Sequence, residues 1–108
     1  MIVQSDSKSR ENLRGPVPLQ IQAMYYVYLL ISEEDGNFYT GSTADLKRRL
    51  EEHNSGIVNS TKNRLPLKLI YYEACLNETD ARNRERYLKS GMGKKYLRNR
   101  LKSYLNDL

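Results

Sequence analysis

The chain has 108 residues, of which 39% are hydrophobic, and its formal net charge is +5 at pH 7. This length suits one domain with a modest core and excludes a second domain of ordinary size. No apolar run approaches the ~20 residues of a membrane helix, so the positive charge favours a nucleic acid over a membrane as the polyanionic partner.

The N-terminal 23 residues are polar and mixed in charge, and they contain Pro16 and Pro18 without any hydrophobic period. Such a segment has no apolar face to bury, so residues 1–23 are predicted to be a flexible extension. The compact domain is expected to begin at Met24 and to cover residues 24–108.

Two strands are predicted at the start of this domain. Tyr25–Ile31 (YYVYLLI) is short and rich in aromatic and branched residues, which is typical of a strand buried on both faces. A loop around Asp35 and Gly36 leads into a second strand, Phe38–Gly41, and the pair is expected to form an antiparallel hairpin.

A first helix is predicted from about Ala44 to Ser55, with Ser42 or Thr43 as its N-cap and Gly56 at its end. Residues three, four and seven positions apart share one face of a helix. The inward face therefore reads Leu46, Arg49, Leu50, His53. An arginine and the only histidine of the chain thus face the core side, where polar groups need partners.

A basic connection over residues 57–66 leads to a third strand, Leu67–Ala74, which ends beside Cys75, the only cysteine. One cysteine excludes an internal disulfide and favours a reducing compartment, so a cytoplasmic location is expected. A second helix is predicted from an Asn77 N-cap through Ser90, with Gly91 as its stop, and a third over about 94–105. The order β-β-α-β-α-α indicates an α+β fold with a small, mainly antiparallel sheet.

The second helix repeats the pattern of the first, because Glu85 lies between Ala81 and Leu88 on its inward face. A buried carboxylate is costly unless it is paired, hydrogen-bonded or bound to a metal. Tyr28 and Tyr39 lie on the neighbouring strands. Together with the arginine and the histidine of the first helix, these groups suit phosphodiester cleavage.

Structural explanations stand beside this interpretation. Arg49 and Glu85 can form a buried ion pair, and His53 can be a helix C-terminal residue that the helix dipole favours. Each tyrosine taken alone is an ordinary strand residue. The side-chain pattern by itself leaves these alternatives open.

These positions resemble the signature of the GIY-YIG nuclease superfamily. The first triplet of that signature aligns with Tyr26–Tyr28 and the second with Tyr39–Gly41, and eleven positions separate Tyr28 from Tyr39. The family arginine matches Arg49, ten positions after Tyr39, and the family histidine or tyrosine matches His53. The metal-binding glutamate matches Glu85 within RERYLKS. Within the superfamily, the chain is similar to small stand-alone bacterial proteins and to the nuclease domain of the excision-repair subunit UvrC.

The resemblance covers Tyr25 to about Leu105, and the departures from the family pattern are mild. Tyr26 replaces a glycine, whereas Val27 and Thr40 replace isoleucines. A family asparagine near the phosphate has only Asn99 as a weak counterpart in this chain.

The resemblance implies a metal-dependent DNA endonuclease. Glu85 would hold Mg²⁺ (or Mn²⁺), and Arg49 would bind the scissile phosphate. Tyr28 or Tyr39, with His53, would orient or deprotonate the attacking water. A tyrosine with a pKa of about 10 must drop by about three units to be a good base at pH 7, and the sequence does not identify which tyrosine is the base.

Affinity for DNA is expected to rest on phosphate contacts with little reading of bases, which indicates structure-directed or weakly sequence-specific cleavage. Two alternatives remain: a catalytically weak nucleic-acid-binding module, and a subunit recruited by a protein partner that supplies specificity. The candidate nucleic-acid-binding residues are six basic side chains: Lys47, Lys62, Arg64, Lys94, Lys95 and Arg98.

Overall fold

The computed structural model describes residues 23–108, which form a three-stranded antiparallel sheet with helices packed on both faces. The strands are β1 (Tyr25–Ser32), β2 (Phe38–Thr43) and β3 (Leu67–Cys75), in the spatial order β2-β1-β3. The α+β class and the β1–β2 hairpin are therefore confirmed. The prediction for residues 1–23 falls almost wholly on residues 1–22, which lie outside the described part.

Four helices complete the domain: α1 (Leu46–Asn54), α2 (Glu78–Leu88), α3 (Gly91–Arg100) and α4 (Lys102–Asn106). The prediction of one long third helix was wrong, because the chain leaves helical geometry at Leu101, where φ is −108° and ψ is 22°. The side chain of Leu101 packs against the core at this break. Each helix of the described segment is too short or too polar to span a bilayer.

The start of α1 differs from the prediction. Asp45 is the N-cap and accepts a hydrogen bond from the Arg48 N–H at 3.1 Å. Ser42 and Thr43 were wrong candidates, because both still pair with β1 as the last residues of β2. Gly56 follows the helix with φ of +82°, a conformation that favours glycine, so its role in ending the helix is confirmed.

The turn after α2 also corrects a prediction. Asn77 is the N-cap of α2, as expected, but Gly91 does not stop that helix. Instead α2 ends at Leu88, and Ser90 caps α3 by accepting from the Gly93 N–H at 3.1 Å. Serine is a favoured N-cap, so Ser90 could have been used to predict that a new helix begins at Gly91.

The buried side chains form one cluster on each face of the central strand. Val27 and Leu29 of β1 pack against α2 and α3, whereas Tyr28 and Leu30 face α1. This alternation confirms that β1 is buried on both faces. Because β2 lies at the edge of the sheet, groups from both faces can meet beside it.

Candidate active site

Tyr28 is held in place by the strand opposite. The residue is 1% exposed, and its partner across the β1–β2 ladder is Gly41. A Cβ atom at Gly41 would overlap the hydroxyl and the ring of Tyr28. The ring therefore lies directly over the backbone of Gly41, and only glycine leaves the space that the phenol occupies.

Gly41→Ala is accordingly expected to displace the Tyr28 ring and to destabilise the fold by about 1–3 kcal/mol, the usual cost of overpacking a core. Gly91→Ala is the matched control, since a Cβ atom at Gly91 meets nothing within 4 Å. Urea unfolding of both variants measures the difference. Equal stability of the two variants would show that Tyr28 does not need this space.

A chain of hydrogen bonds runs inward from the Tyr28 hydroxyl. The Tyr28 hydroxyl oxygen lies 2.8 Å from His53 Nε2, and His53 Nδ1 lies 2.8 Å from the Thr61 hydroxyl oxygen. His53 and Thr61 are both 0% exposed. Burial, followed by the charge of Arg49, lowers the pKa of His53, so its ring is neutral at pH 7 and keeps one nitrogen as an acceptor.

The phenol of Tyr28 is also neutral. Burial raises the pKa of Tyr28 to about 12, although the nearby Arg49 guanidinium acts in the opposite direction. Electrostatic interactions with Tyr39 and Glu85 raise the pKa of Tyr28 further. The Tyr28 side chain is therefore a protonated phenol at pH 7 and not a phenolate. It can accept a further proton only if the phenol proton leaves.

Tyr39 also contacts the imidazole of His53. Its ring centroid lies 5.1 Å from that of His53 in an edge-on arrangement, and that of Tyr28 lies 5.7 Å away. The Tyr39 hydroxyl accepts a hydrogen bond from the exposed Ser60 at 3.3 Å. Tyr39 thus packs against His53, whereas Tyr28 bonds to it.

Arg49 lies at the opening of this cluster. Its side chain is 36% exposed and donates to Glu52 at 3.0 Å, and it acts on the pKa of Tyr28. The alternative of an Arg49–Glu85 ion pair is not observed, because Glu85 pairs with Lys89 instead. The exposed part of the guanidinium is available to an incoming anion.

Glu85 has two polar partners. Its Oε1 accepts from the Ser42 hydroxyl at 2.6 Å, and its Oε2 lies 2.8 Å from the Lys89 ammonium. Burial raises the pKa of Glu85, but Lys89 and Ser42 together outweigh burial and hold that pKa below its usual value. Glu85 is therefore a charged carboxylate at pH 7.

The donor set around Glu85 suits one kind of metal site. No group of three or more histidine, cysteine or acidic side chains that could hold a metal occurs in residues 23–108. A single ionised carboxylate that already attracts a cation fits Mg²⁺, which takes one or two carboxylates and completes its shell with waters and phosphate oxygens. It does not fit a metal that needs a cage of protein ligands.

Three residues that bond to the predicted site residues were not predicted from the sequence to belong to the site. Thr61 lies in the polar connection and gave no signal, because its hydrogen bond depends on how residues 57–66 fold back over α1. Ser42 stood out only as a helix cap, and Lys89 was not among the candidate residues. All three act on a residue that the sequence did single out.

The six candidate nucleic-acid-binding residues differ in their surroundings. Arg64 donates to Asp35 at 2.8 Å, and Arg98 lies over the Phe38 ring at 5.3 Å. Within the described segment, Asn99 is exposed and forms no side-chain hydrogen bond to the site. The remaining four candidates are exposed and form no ion pair in that same segment: Lys47, Lys62, Lys94 and Lys95.

The three-stranded sheet with its hairpin and flanking helices is that of a domain of nuclease type. Residues 24–97 match the family model described as the GIY-YIG catalytic domain, and the chain belongs to the GIY-YIG family. The UPF0213 protein CPE1444 of Clostridium perfringens is 40% identical over 67 residues, which cover 61% of this chain and 71% of that protein.

A second relative and a solved structure extend the comparison. The UPF0213 protein SAG0778 of Streptococcus agalactiae is 43% identical over 70 residues, which cover 64% of this chain and 78% of that protein. The solution NMR structure of the UPF0213 protein BH0048 from Bacillus halodurans is 35% identical, with a TM-score of 0.44. That match covers 68% of this chain and 81% of the NMR chain.

Proposed function

We propose that the protein is a metal-dependent endonuclease that hydrolyses DNA phosphodiester bonds. The observation that carries the proposal is the hydrogen-bond chain from Tyr28 through His53 to Thr61, with the Arg49 guanidinium beside it. A phenol whose own proton can pass to a neutral imidazole behind it can accept a proton from water. A guanidinium beside it can bind the phosphate that the water attacks.

The proton path follows from the two pKa directions. The Tyr28 oxygen accepts a proton from the attacking water while its own proton passes to His53 Nε2, so no free phenolate forms. His53 becomes an imidazolium, and its Nδ1–H donates to the Thr61 hydroxyl, which holds the ring in the required tautomer. This route assigns the base to Tyr28 and gives Tyr39 the role of packing the imidazole in place.

Arg49 binds the scissile phosphate in this mechanism. Its planar fork can donate two hydrogen bonds to phosphate oxygens and offset the charge that grows on them in the transition state. The bond to Glu52 is made on a partly exposed helix face, where an ion pair contributes little, so the guanidinium can turn toward a phosphate at small cost.

Glu85 would hold the metal, Mg²⁺ or Mn²⁺. When bound, such an ion supplies a Lewis acid that stabilises the leaving oxygen of the phosphodiester. Ser42 fixes the carboxylate by donating to Oε1, so Oε2, which pairs with Lys89, is the oxygen that would face a metal ion. This hydrogen bond ties α2, which contains Glu85, to β2, which contains Ser42.

Binding would rest on phosphates. Lys47, Lys62, Lys94 and Lys95 present exposed ammonium groups, and Arg64 and Arg98 add charge beside the β1–β2 loop. Such contacts position DNA without reading its bases, so cleavage is proposed to be structure-directed or weakly sequence-specific. A protein partner would supply further specificity, and the cytoplasm remains the predicted compartment.

The test is incubation of the full chain with duplex, single-stranded, flap and branched DNAs, in Mg²⁺, Mn²⁺ or chelator. We expect nicking only with a divalent ion. Arg49→Lys keeps the charge but loses the fork, and we expect its rate to fall on the order of 10²-fold. Arg48→Lys is the matched control, because Arg48 is its exposed neighbour and pairs with the same Glu52. Equal rates for the two variants would remove Arg49 from the site.

One observation favours a second candidate, a catalytically weak nucleic-acid-binding module. Ser42 and Lys89 together occupy both carboxylate oxygens of Glu85, as they would in a purely structural network. Binding that weakens steeply with salt, without cleavage of any DNA in the panel under any metal, would favour this candidate over the nuclease. Cleavage that appears only on addition of another protein would indicate a partner-recruited subunit.

A further inference from the structure

The two partners of Glu85 differ in their freedom to move. Ser42 has a short side chain on a strand that is paired to β1, so its hydroxyl stays near Oε1. Lys89 follows the last residue of α2, and its side chain is 52% exposed. The Glu85 side chain is only 20% exposed. The ammonium is thus carried by a long, half-exposed side chain, beside a carboxylate that the hydrogen bond from Ser42 holds in place.

We infer that Lys89 occupies the cation position at Glu85 in the free protein and moves to a DNA phosphate when a divalent ion binds Oε2. This inference rests on the proposed function, because it takes Glu85 as the metal ligand. It assigns to Lys89 two alternating partners, a carboxylate and a phosphodiester, and makes it a substrate-binding residue of the site.

When a divalent ion and DNA both bind, Lys89 exchanges the Glu85 carboxylate for a phosphate, and each negative group keeps a positive partner. Binding of a divalent ion at Oε2 places two cations beside one carboxylate, which repels the ammonium from its position at 2.8 Å. An arriving phosphate offers the ammonium a new negative partner within reach of its long, flexible stem. The ammonium end of the pair between Lys89 and Glu85 is half-exposed, so the pair stabilises the fold little and breaking it costs little.

A coupling between metal and DNA follows. Without DNA, the divalent ion must displace Lys89 from Oε2 and leave it unpaired, which weakens metal binding. With DNA present, the phosphate accepts the ammonium, so metal binds more tightly. By linkage, the metal must tighten DNA binding by the same factor. Lys89 therefore suppresses metal loading of the protein until a substrate is in place.

The experiment measures Mn²⁺ affinity of the full chain by the EPR signal of free Mn²⁺. Lys89→Met keeps the side-chain length without the charge, and we expect Mn²⁺ to bind it about two- to fivefold more tightly than the parent. Arg86→Met is the matched control. Arg86 is a cation of α2 whose charge also lowers the pKa of Glu85, but its guanidinium donates to Asn83 and not to Glu85.

A second arm adds a short DNA duplex in the Tyr28→Phe background, where cleavage is expected to be about 10²- to 10⁴-fold slower. The duplex should tighten Mn²⁺ binding when Lys89 is present and do so less in Lys89→Met. Equal Mn²⁺ affinities of Lys89→Met and Arg86→Met, or an unchanged effect of the duplex, would overturn the inference. Glu85→Gln separates the two levels: if it binds Mn²⁺ like the parent, the metal assignment itself fails.

Discussion

Glu85→Gln is expected to abolish metal-dependent cleavage while the protein stays folded and still binds DNA. Glutamine keeps the volume and can still accept from the Ser42 hydroxyl, but it lacks the charge that a hard cation needs. The unfolding free energy should fall by no more than about 1 kcal/mol, because the only ion pair that Glu85 makes in the described part is with the exposed Lys89. DNA affinity measured with chelator should rise slightly, since a negative charge near phosphate is removed.

The measurements are melting temperature, DNA affinity and nicking rate on one preparation. Glu78→Gln is the matched control. Glu78 is also on α2, and it also pairs with a basic residue four positions later in the chain, Arg82 at 2.7 Å. That variant should cut at the parental rate. A Glu85→Gln protein that also cuts at the parental rate would end the metal-ligand assignment. A fall in stability of several kcal/mol would instead make Glu85 a structural residue.

The helical period was sufficient to predict the inward faces that contribute to the site. Leu46 and Leu50 fix the side of α1 that faces the sheet, so the burial of His53 and the half-burial of Arg49 follow from spacing alone. The same reasoning placed Glu85 between the buried Ala81 and Leu88. These predictions succeeded because an element's period is local, and burying its apolar residues determines where the rest point.

The partners of those residues could not be predicted in the same way. His53 bonds to Thr61 across a turn, and Glu85 bonds to Ser42 across 43 positions of sequence. Such contacts depend on how the elements pack, which no periodicity encodes. The sequence therefore offered an Arg49–Glu85 ion pair as an equal possibility, whereas packing gave each residue a different partner.

Local competition explains the boundary errors. Ser42 and Thr43 are good helix caps, but pairing with β1 uses them as strand, and Asp45 becomes the cap. Leu101 has no breaking signal, yet packing of its side chain against the core ends α3. In both cases a tertiary contact outweighed the propensity of the residue.

Tyr28→Phe is expected to lower cleavage by about 10²- to 10⁴-fold, the range for loss of a general base. The ring still fits over Gly41, so the loss comes from the hydroxyl and not from packing. His53 Nε2 loses its partner in a buried place, which should cost about 1–3 kcal/mol of stability. Kinetics under saturating metal, together with urea unfolding, measure the two effects separately.

Tyr39→Phe is the control, because it removes a tyrosine hydroxyl that bonds only to the exposed Ser60 among the described residues. Its cleavage rate should stay within a few-fold of the parent if Tyr28 alone passes a proton to His53. A larger loss in Tyr39→Phe than in Tyr28→Phe would reverse the two roles. Unchanged cleavage in both variants would exclude a phenol as the base.

The pH dependence tests the second half of the proton path. Burial lowers the pKa of His53, so the folded protein keeps a neutral imidazole below the value of about 6.5 at which the unfolded chain takes up a proton. The contribution of His53 to the free energy of unfolding is therefore complete above a pH of about 6.5. It is lost as the pH falls from there through the lowered pKa of the folded state. Cleavage should hold in that window and fall only near the lowered pKa, where His53 can no longer accept from Tyr28. If cleavage instead falls around 6.5 while stability stays flat, the histidine titrates as an exposed one and cannot be the acceptor.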